Sequence, residues 1–300
     1  MRDRFDADGD CNSDIGPDLE RRITDAIGTA PTALTRLEGG MIGSVVRADL
    51  ADGRAVVAKV GETPLEVEAH MLESLSARSA LPVPEVYHAS DDLLLLEYVD
   101  GDTAHDDAVA VDAADHLAAL HDRSARGFGF ERDTLTGPVR QPNPWTESWV
   151  EFYRDHRLRH VARVASEDGT LPDELGRRLE AVAVDLADDA QELLAEPDAP
   201  GLIHGDVWTT NVLSSGGEVR AFLDPAIYYA HPEVELAYVD WTATFGEAFF
   251  DRYDERRGIA DGFFERRRYV YRLYPLLVHV LCFGGRYVGE LEVTLERLGY

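Results

Sequence analysis

The apolar residues fall into two kinds of segment, short extended runs and helical stripes. Leu19 to Ile27 has apolar residues at helical spacing and predicts a short helix. Leu34 to Asp49 reads as strand, glycine turn, strand, and Asp52-Gly53 turns the chain into a further strand, Ala55 to Val60. Thr63-Pro64-Leu65-Glu66 has the form of a capping box with proline at the first helical position. Leu65, Ala69, Leu72 and Leu75 follow at helical spacing, and Glu68 falls on the same stripe. Val83-Pro84 and Val86-Tyr87 lead into Leu93 to Val99, a continuous run that predicts a strand buried on both faces. Asp100-Gly101-Asp102 breaks the pattern and marks a hinge. Beyond it the sequence predicts a helix from about Asp112 to Asp122, with Ala113, Leu117 and Leu120 as its stripe. Short strands at Val212-Leu213 and Ala221-Phe222-Leu223 flank a Ser-Ser-Gly-Gly turn, and Tyr269 to Gly285 reads as a buried helix. The expected organisation is α+β: a polar tail over residues 1–14, a β-rich lobe over 15–99 and a larger, mainly helical lobe over 100–300.

Charge narrows the function classes. The chain has 57 acidic and 29 basic residues, a formal net charge of −28, which repels nucleic acid and anionic membranes. Hydrophobic content of 45% excludes a disordered acidic chain, so the balance is that of a protein adapted to concentrated salt. Cys11 and Cys282 form no disulfide framework, the N-terminus has no signal-peptide character, and the apolar stretch at Tyr269 is too short to span a bilayer. An intracellular, cytoplasmic protein is expected. Asp6, Asp8 and Asp10 alternate as in a calcium loop, but Cys11 and Pro17 stand where glycine and glutamate are needed.

Lys59 is the only lysine among 300 residues. Its survival implies a task that arginine's planar fork cannot perform, such as a compact charge set against a polyanion. Val56-Val57-Ala58-Lys59 also has the pattern of the strand that carries the phosphate-binding lysine of kinases. Glu68, on an inward helix face, needs a buried cation, and Lys59 is the candidate. Gly39 and Gly40, in the turn from Glu38 to Ser44, allow backbone N–H groups to approach phosphate. By position, Glu97 and Val99 at the hinge would offer main-chain groups to adenine.

The second lobe contains His204-Gly205-Asp206-Val207-Trp208-Thr209-Thr210-Asn211, then Leu223-Asp224-Pro225-Ala226. Asp206 to Asn211 has the Asp-x-x-x-x-Asn spacing of a kinase catalytic loop, and Asp224 falls where a metal-binding aspartate follows. Phosphoryl transfer to a hydroxyl needs a carboxylate beside the nucleophile, here Asp206. It also needs oxygen ligands for Mg²⁺ on ATP, here Asn211 and Asp224. His204 reads as a brace for the loop rather than as a base. His121, His231 and His279 have no metal-ligand spacing with one another.

From about Leu37 to Leu298 the chain resembles the fructosamine kinase (ketosamine-3-kinase) family, in the aminoglycoside-phosphotransferase-like branch of the protein-kinase-like fold. The resemblance rests on Gly39-Gly40, the Lys59 strand, Phe128-Gly129-Phe130 and Gln141-Pro142-Asn143-Pro144-Trp145. It extends through His204 to Asn211, Asp224-Pro225-Ala226-Ile227-Tyr228-Tyr229, and Leu273-Tyr274 to Gly285. It implies transfer of the ATP γ-phosphate to the 3-hydroxyl of a ketoamine, free or on protein, with the product decomposing to release the amine. Asp206 would be the base, Asn211 and Asp224 the Mg²⁺ ligands, Lys59 and Glu68 the ATP holders, and Trp208 part of the sugar pocket. A kinase of another small hydroxyl compound, aminoglycoside- or choline-like, is the alternative. The chain also departs from the family. Met41 stands where cysteine is usual, and Thr209-Thr210 replaces Ser-Gly. Pro232 replaces an arginine, and Glu235 replaces the aspartate that braces the catalytic loop. These departures place the expected difference in the acceptor pocket.

Overall fold

The computed structural model describes residues 16–37, 43–61, 63–188 and 193–300. The acidic tail, Gly39, Gly40 and Met41 lie outside the described residues. Contacts divide the chain into two units, residues up to Ala69 with Glu85–Tyr98, and His70–Pro84 with Val99–Tyr300.

The first unit is an antiparallel sheet with a helix on one face. Strands β1 (Pro31–Arg36), β2 (Ser44–Leu50), β3 (Ala55–Val60), β4 (Val86–Ala89) and β5 (Leu93–Glu97) lie in the order β1-β2-β3-β5-β4. Helix α1 (Gly16–Ile27) sets Leu19 and Ile23 against Val46, Ala48, Val56, Ala58, Leu93 and Leu95. Leu94 and Leu96 on the other face of β5 are equally buried, which is why that segment reads as an unbroken apolar run. The two-residue period of β3 puts Val56 and Ala58 into the α1-side core and Lys59 on the opposite face, paired in register with Leu94. Helix α2 (Leu65–Arg78) follows, with Leu65, Ala69, Leu72 and Leu75 buried. Pro64 immediately precedes it, and its carbonyl accepts from the Val67 N–H.

The second unit is mainly helical. Helix α3 (Asp107–His121) starts five residues before the expected Asp112, because Asp106 caps it by accepting from the Val109 N–H. A small hairpin, β6 (Thr134–Thr136) and β7 (Val139–Gln141), precedes α4 (Trp149–Tyr153), a π-helical stretch (Arg154–Arg159) and α5 (His160–Glu167). The π-helical stretch carries Arg157 inward, where its fully buried guanidinium lies 3.9 Å from the Tyr228 ring centroid. Helix α6 (Asp173–Asp188) precedes four short strands, β8 (Gly201–Ile203), β9 (Val212–Ser215), β10 (Glu218–Phe222) and β11 (Tyr228–Ala230). β8 pairs with β11, and β9 pairs with β10. Helices α7 (Glu233–Thr242), α8 (Glu247–Arg257), α9 (Arg268–Phe283) and α10 (Arg286–Leu298) complete the unit. The buried helix read at Tyr269 to Gly285 is α9. No helix among the described residues is long and apolar enough to cross a membrane.

Candidate active site

In the first unit, the Lys59 Nζ lies 2.6 Å from Glu68 Oε1, and each side chain is 17% exposed. The strand fixes the lysine's face, and the first turn of α2 brings the glutamate to it. The pair is close and mostly shielded, so the charge is held in one place rather than sampled on a flexible stem. Glu97 ends β5 with its N–H given to the Glu85 carbonyl, so that N–H is not open to an adenine ring. Val99 lies just past the strand, in the second unit.

In the second unit, the two strand pairs set up two loops. One loop runs from His204 to Asn211 between β8 and β9, and the other from Leu223 to Ile227 between β10 and β11. Cross-bonds tie them together: Leu223 N–H to the Asn211 carbonyl (2.8 Å) and Ala226 N–H to the His204 carbonyl (2.7 Å). Gly205 is the point of closest approach. Its φ is +86°, and a Cβ there would lie 2.3 Å from the Ala226 carbonyl oxygen. Asp224, a non-glycine residue, holds a left-handed φ of 53°, a strained conformation of the kind that persists where surrounding bonds dictate it.

Asp206 receives the Asn211 amide at 2.9 Å, and that amide also bonds the Asp206 carbonyl at 3.0 Å. Burial pushes the Asp206 carboxyl up to about 7 and the negative charge of Asp224 adds to this, against the pull of the Tyr238 phenol and the hydrogen bond from Asn211. The residue as a whole is only partly buried. A carboxylate base poised near neutral pH suits proton removal from a hydroxyl. Because the Asn211 amide nitrogen is occupied, its amide oxygen is left as the ligand atom. With the exposed carboxylate of Asp224 it makes an oxygen-only donor pair. That chemistry fits Mg²⁺, which completes its shell with nucleotide phosphates and water.

Glu235 settles the question raised by its departure from aspartate. Its carboxylate is buried and accepts from His204 N–H at 2.9 Å, from Gly205 N–H at 2.6 Å and from His121 Nε2 at 3.0 Å. His121 in turn bonds the Tyr253 hydroxyl at 2.7 Å. Burial raises the Glu235 carboxyl, but the hydrogen bond and charge of His121, with His204 beside it, more than reverse this, so Glu235 lies below its ordinary value. The longer side chain therefore performs the bracing. His204 is buried and neutral, lowered by desolvation, and its Nδ1 accepts from the Asp206 N–H at 3.3 Å, which makes it a brace. Pro232 caps α7 and packs against Gly201.

The Gln-Pro-Asn run supports the second loop. Gln141 donates to the Ala226 carbonyl at 3.2 Å and accepts from Tyr274 at 2.6 Å. Asn143 accepts from Arg157 at 2.6 Å. Trp208 is half-buried beside Asp206, and its carbonyl accepts from the Asn211 N–H. Two residues at the site escaped the sequence reading. The Tyr238 phenol interacts electrostatically with Asp206, and His121 anchors the brace. Tyr238 lies three residues after Glu235 on α7, a spacing that puts both on one helix face.

The sequence profile of the fructosamine kinase family matches residues 18–299. A protein assigned as a ketoamine kinase in Synechocystis sp. is 34% identical over 242 residues, 77% of each chain. The chloroplastic protein-ribulosamine 3-kinase of Oryza sativa subsp. indica is 30% identical over 91% of this chain and 81% of its own. Among solved structures, a protein assigned as a fructosamine-3-kinase in Thermobifida fusca superposes with a TM-score of 0.82 at 30% identity, covering 93% of this chain and 98% of its own. An aminoglycoside phosphotransferase bound to ADP and hygromycin B reaches a TM-score of 0.68 at 18% identity, over 93% and 97% of the chains, which shows the shared protein-kinase-like fold. The chain belongs to the fructosamine kinase family.

Proposed function

We propose that this protein is an ATP-dependent kinase that phosphorylates the 3-hydroxyl of ketoamines, fructosamine or ribulosamine adducts, as a deglycation repair activity. The observation that carries the reading is Asp206, tied to Asn211 in a loop clamped by Glu235, with Asp224 placed one hairpin later. Asp206 accepts the proton of the 3-hydroxyl as the oxygen attacks phosphorus. Asn211 holds that carboxylate in place. Lys59, oriented by Glu68, offsets charge on the ATP phosphates. Asn211 and Asp224 would hold Mg²⁺, which neutralises phosphate charge when bound. Gly39 and Gly40 fit a phosphate-covering turn by composition, and Val99 with the Glu97 carbonyl an adenine contact by position. Trp208, half-buried next to the base, supplies an apolar wall for the sugar.

The net charge of −28 supports a salt-adapted enzyme, and cysteine usage supports the cytoplasm. With one lysine per 300 residues, a proteome of similar composition offers few lysine-linked adducts. We infer that small free ketoamines are turned over at least as well as glycated protein. The test is ATP consumption in concentrated potassium chloride with Mg²⁺, offering fructosyl-lysine, ribulosyl-lysine, a glycated protein and an aminoglycoside side by side. Turnover of the ketoamines is expected. Turnover of the aminoglycoside alone would overturn the assignment.

A further inference from the structure

Beside the base lies an aromatic series that the phosphoryl-transfer chemistry does not use. Tyr238 lies one helical turn after Glu235, which clamps the Asp206 loop, and its phenol interacts electrostatically with Asp206; its ring is 5.9 Å from Trp241 between centroids. Trp241 meets His279 edge-on at 4.9 Å, and His279 meets Tyr287 at 4.7 Å and Phe283 at 5.5 Å. The spacing is built in: Tyr238 and Trp241 are i, i+3 on α7, and His279 and Phe283 are i, i+4 on α9. Gly284 and Gly285, at φ 58° and 55°, turn the chain so that Tyr287 returns to the same group.

Exposure rises along the series. Tyr238 and Trp241 are half-buried, whereas Phe283, at the far end, is 50% exposed. His279 is neutral, lowered by burial, and its Nδ1–H is given to the Pro275 carbonyl. The surface is therefore mainly aromatic, runs outward from the α7 face that carries Glu235, and has a guanidinium, that of Arg286 lying 4.8 Å over the Tyr287 ring, at the outer end.

We propose that Tyr238, Trp241, His279, Phe283 and Tyr287 form the subsite for the amine-derived half of the acceptor, selecting ketoamines whose amine carries an aromatic or bulky apolar body. The inference rests on the ketoamine reading above. In such an acceptor the reacting hydroxyl is on carbon 3 and the nitrogen on carbon 1. Once Asp206 engages the hydroxyl, the nitrogen passes the groups flanking Asp206, and its substituent extends beyond them. A secondary ammonium beside the Tyr238 and Trp241 rings gains cation–π attraction, and the body behind it covers His279, Tyr287 and Phe283. Continuity with the base makes the acceptor the occupant of this surface.

The test compares two ketoamines of one sugar, made from benzylamine and from methylamine, on wild type, Trp241→Leu and Phe283→Ala. The readout is the ratio of their kcat/KM values, which cancels any loss of folded enzyme. Wild type is expected to favour the benzylamine adduct by about tenfold or more, as burying one ring on an apolar site provides. Trp241→Leu is expected to remove most of that preference and Phe283→Ala a smaller part. A ratio near unity in wild type, or one unchanged in both variants, overturns the subsite while turnover of the methylamine adduct keeps the kinase reading. A Phe283→Ala variant that only converts a dimer to a monomer in sedimentation, with the ratio intact, overturns it in favour of a self-association face. Turnover of neither adduct overturns both readings.

Discussion

Replacing Glu235 with glutamine keeps the shape of the brace and removes its charge. The carboxylate accepts three hydrogen bonds, two through one oxygen (His204 N–H and His121) and one through the other (Gly205 N–H). Glutamine can present an oxygen to only one of these positions. In the better orientation its NH₂ faces the Gly205 N–H, donor against donor, and the remaining bonds lose their charge assistance. A buried donor left unmatched costs about 1–3 kcal/mol, and a hydrogen bond to a charged group contributes about 1.5–3 kcal/mol. The expected loss is about 3 kcal/mol, or roughly 6–12 °C in Tm for a unit of this size. Gly205 adjoins Asp206, so kcat on a ketoamine should fall about 10- to 100-fold, with the KM for ATP changing less. The effect should also depend on pH. Glu235 is depressed in the folded state, so its contribution is complete above the ordinary glutamate value of 4.5 and is lost as pH falls through its lowered folded value. The Tm gap between wild type and variant is therefore full at pH 7 and closes below about pH 4.5. Thermal unfolding by circular dichroism across pH 3.5–8 (about that span covers both limbs), with kcat at pH 7, makes the comparison. A variant within about 1 °C of wild type at pH 7, with kcat unchanged, would refute the bracing role.

The other predictions concern the remaining contacts of the site. Lys59→Arg should lower kcat/KM for ATP by about 100-fold, because the fork does not replace a point charge held 2.6 Å from Glu68; retention within a few-fold would contradict this. Gly205→Ala should yield an inactive, destabilised protein, since its Cβ meets the Ala226 backbone carbonyl, and adding Ala226→Gly should not rescue Tm or activity. Chelation with EDTA should abolish turnover, and added Mg²⁺ should restore it. Asp224→Asn should raise the Mg²⁺ concentration for half-maximal rate by about tenfold or more, read from a metal titration at fixed ATP.

Much of the first unit was legible because its signals are local. Ala55 to Val60 is β3 to the residue, and Leu93 to Glu97 forms β5 within the apolar run. The Glu68–Lys59 pair followed from one helix stripe and one strand face. The Asp206, Asn211 and Asp224 spacing was equally plain, since one hairpin separates the last two. What escaped depended on distant partners. β8 and β11 are three residues each and too short for a period to show. His121 lies 114 residues from Glu235, and no pattern along the chain announces that contact. Gln141-Pro142-Asn143 signalled the family, while its work, holding up the Ala226 carbonyl 85 residues away, needed the fold. The doubt over Glu235 arose because one extra methylene looks disruptive in a motif. In three dimensions α7 places its carboxylate at the same backbone N–H groups it must serve.

The central claim is that Asp206 removes a proton from a ketoamine 3-hydroxyl as phosphate arrives from ATP. The direct measurement is phosphorus and carbon NMR of the product formed from a ¹³C-labelled ketoamine by wild type and by Asp206→Asn. The account predicts phosphate on carbon 3 with wild type, followed by release of the free amine. It also predicts a rate at least about 10³-fold lower in the variant, whose melting curve and nucleotide binding stay near wild type. Phosphate on another hydroxyl, or a variant that turns over at a comparable rate, would contradict it.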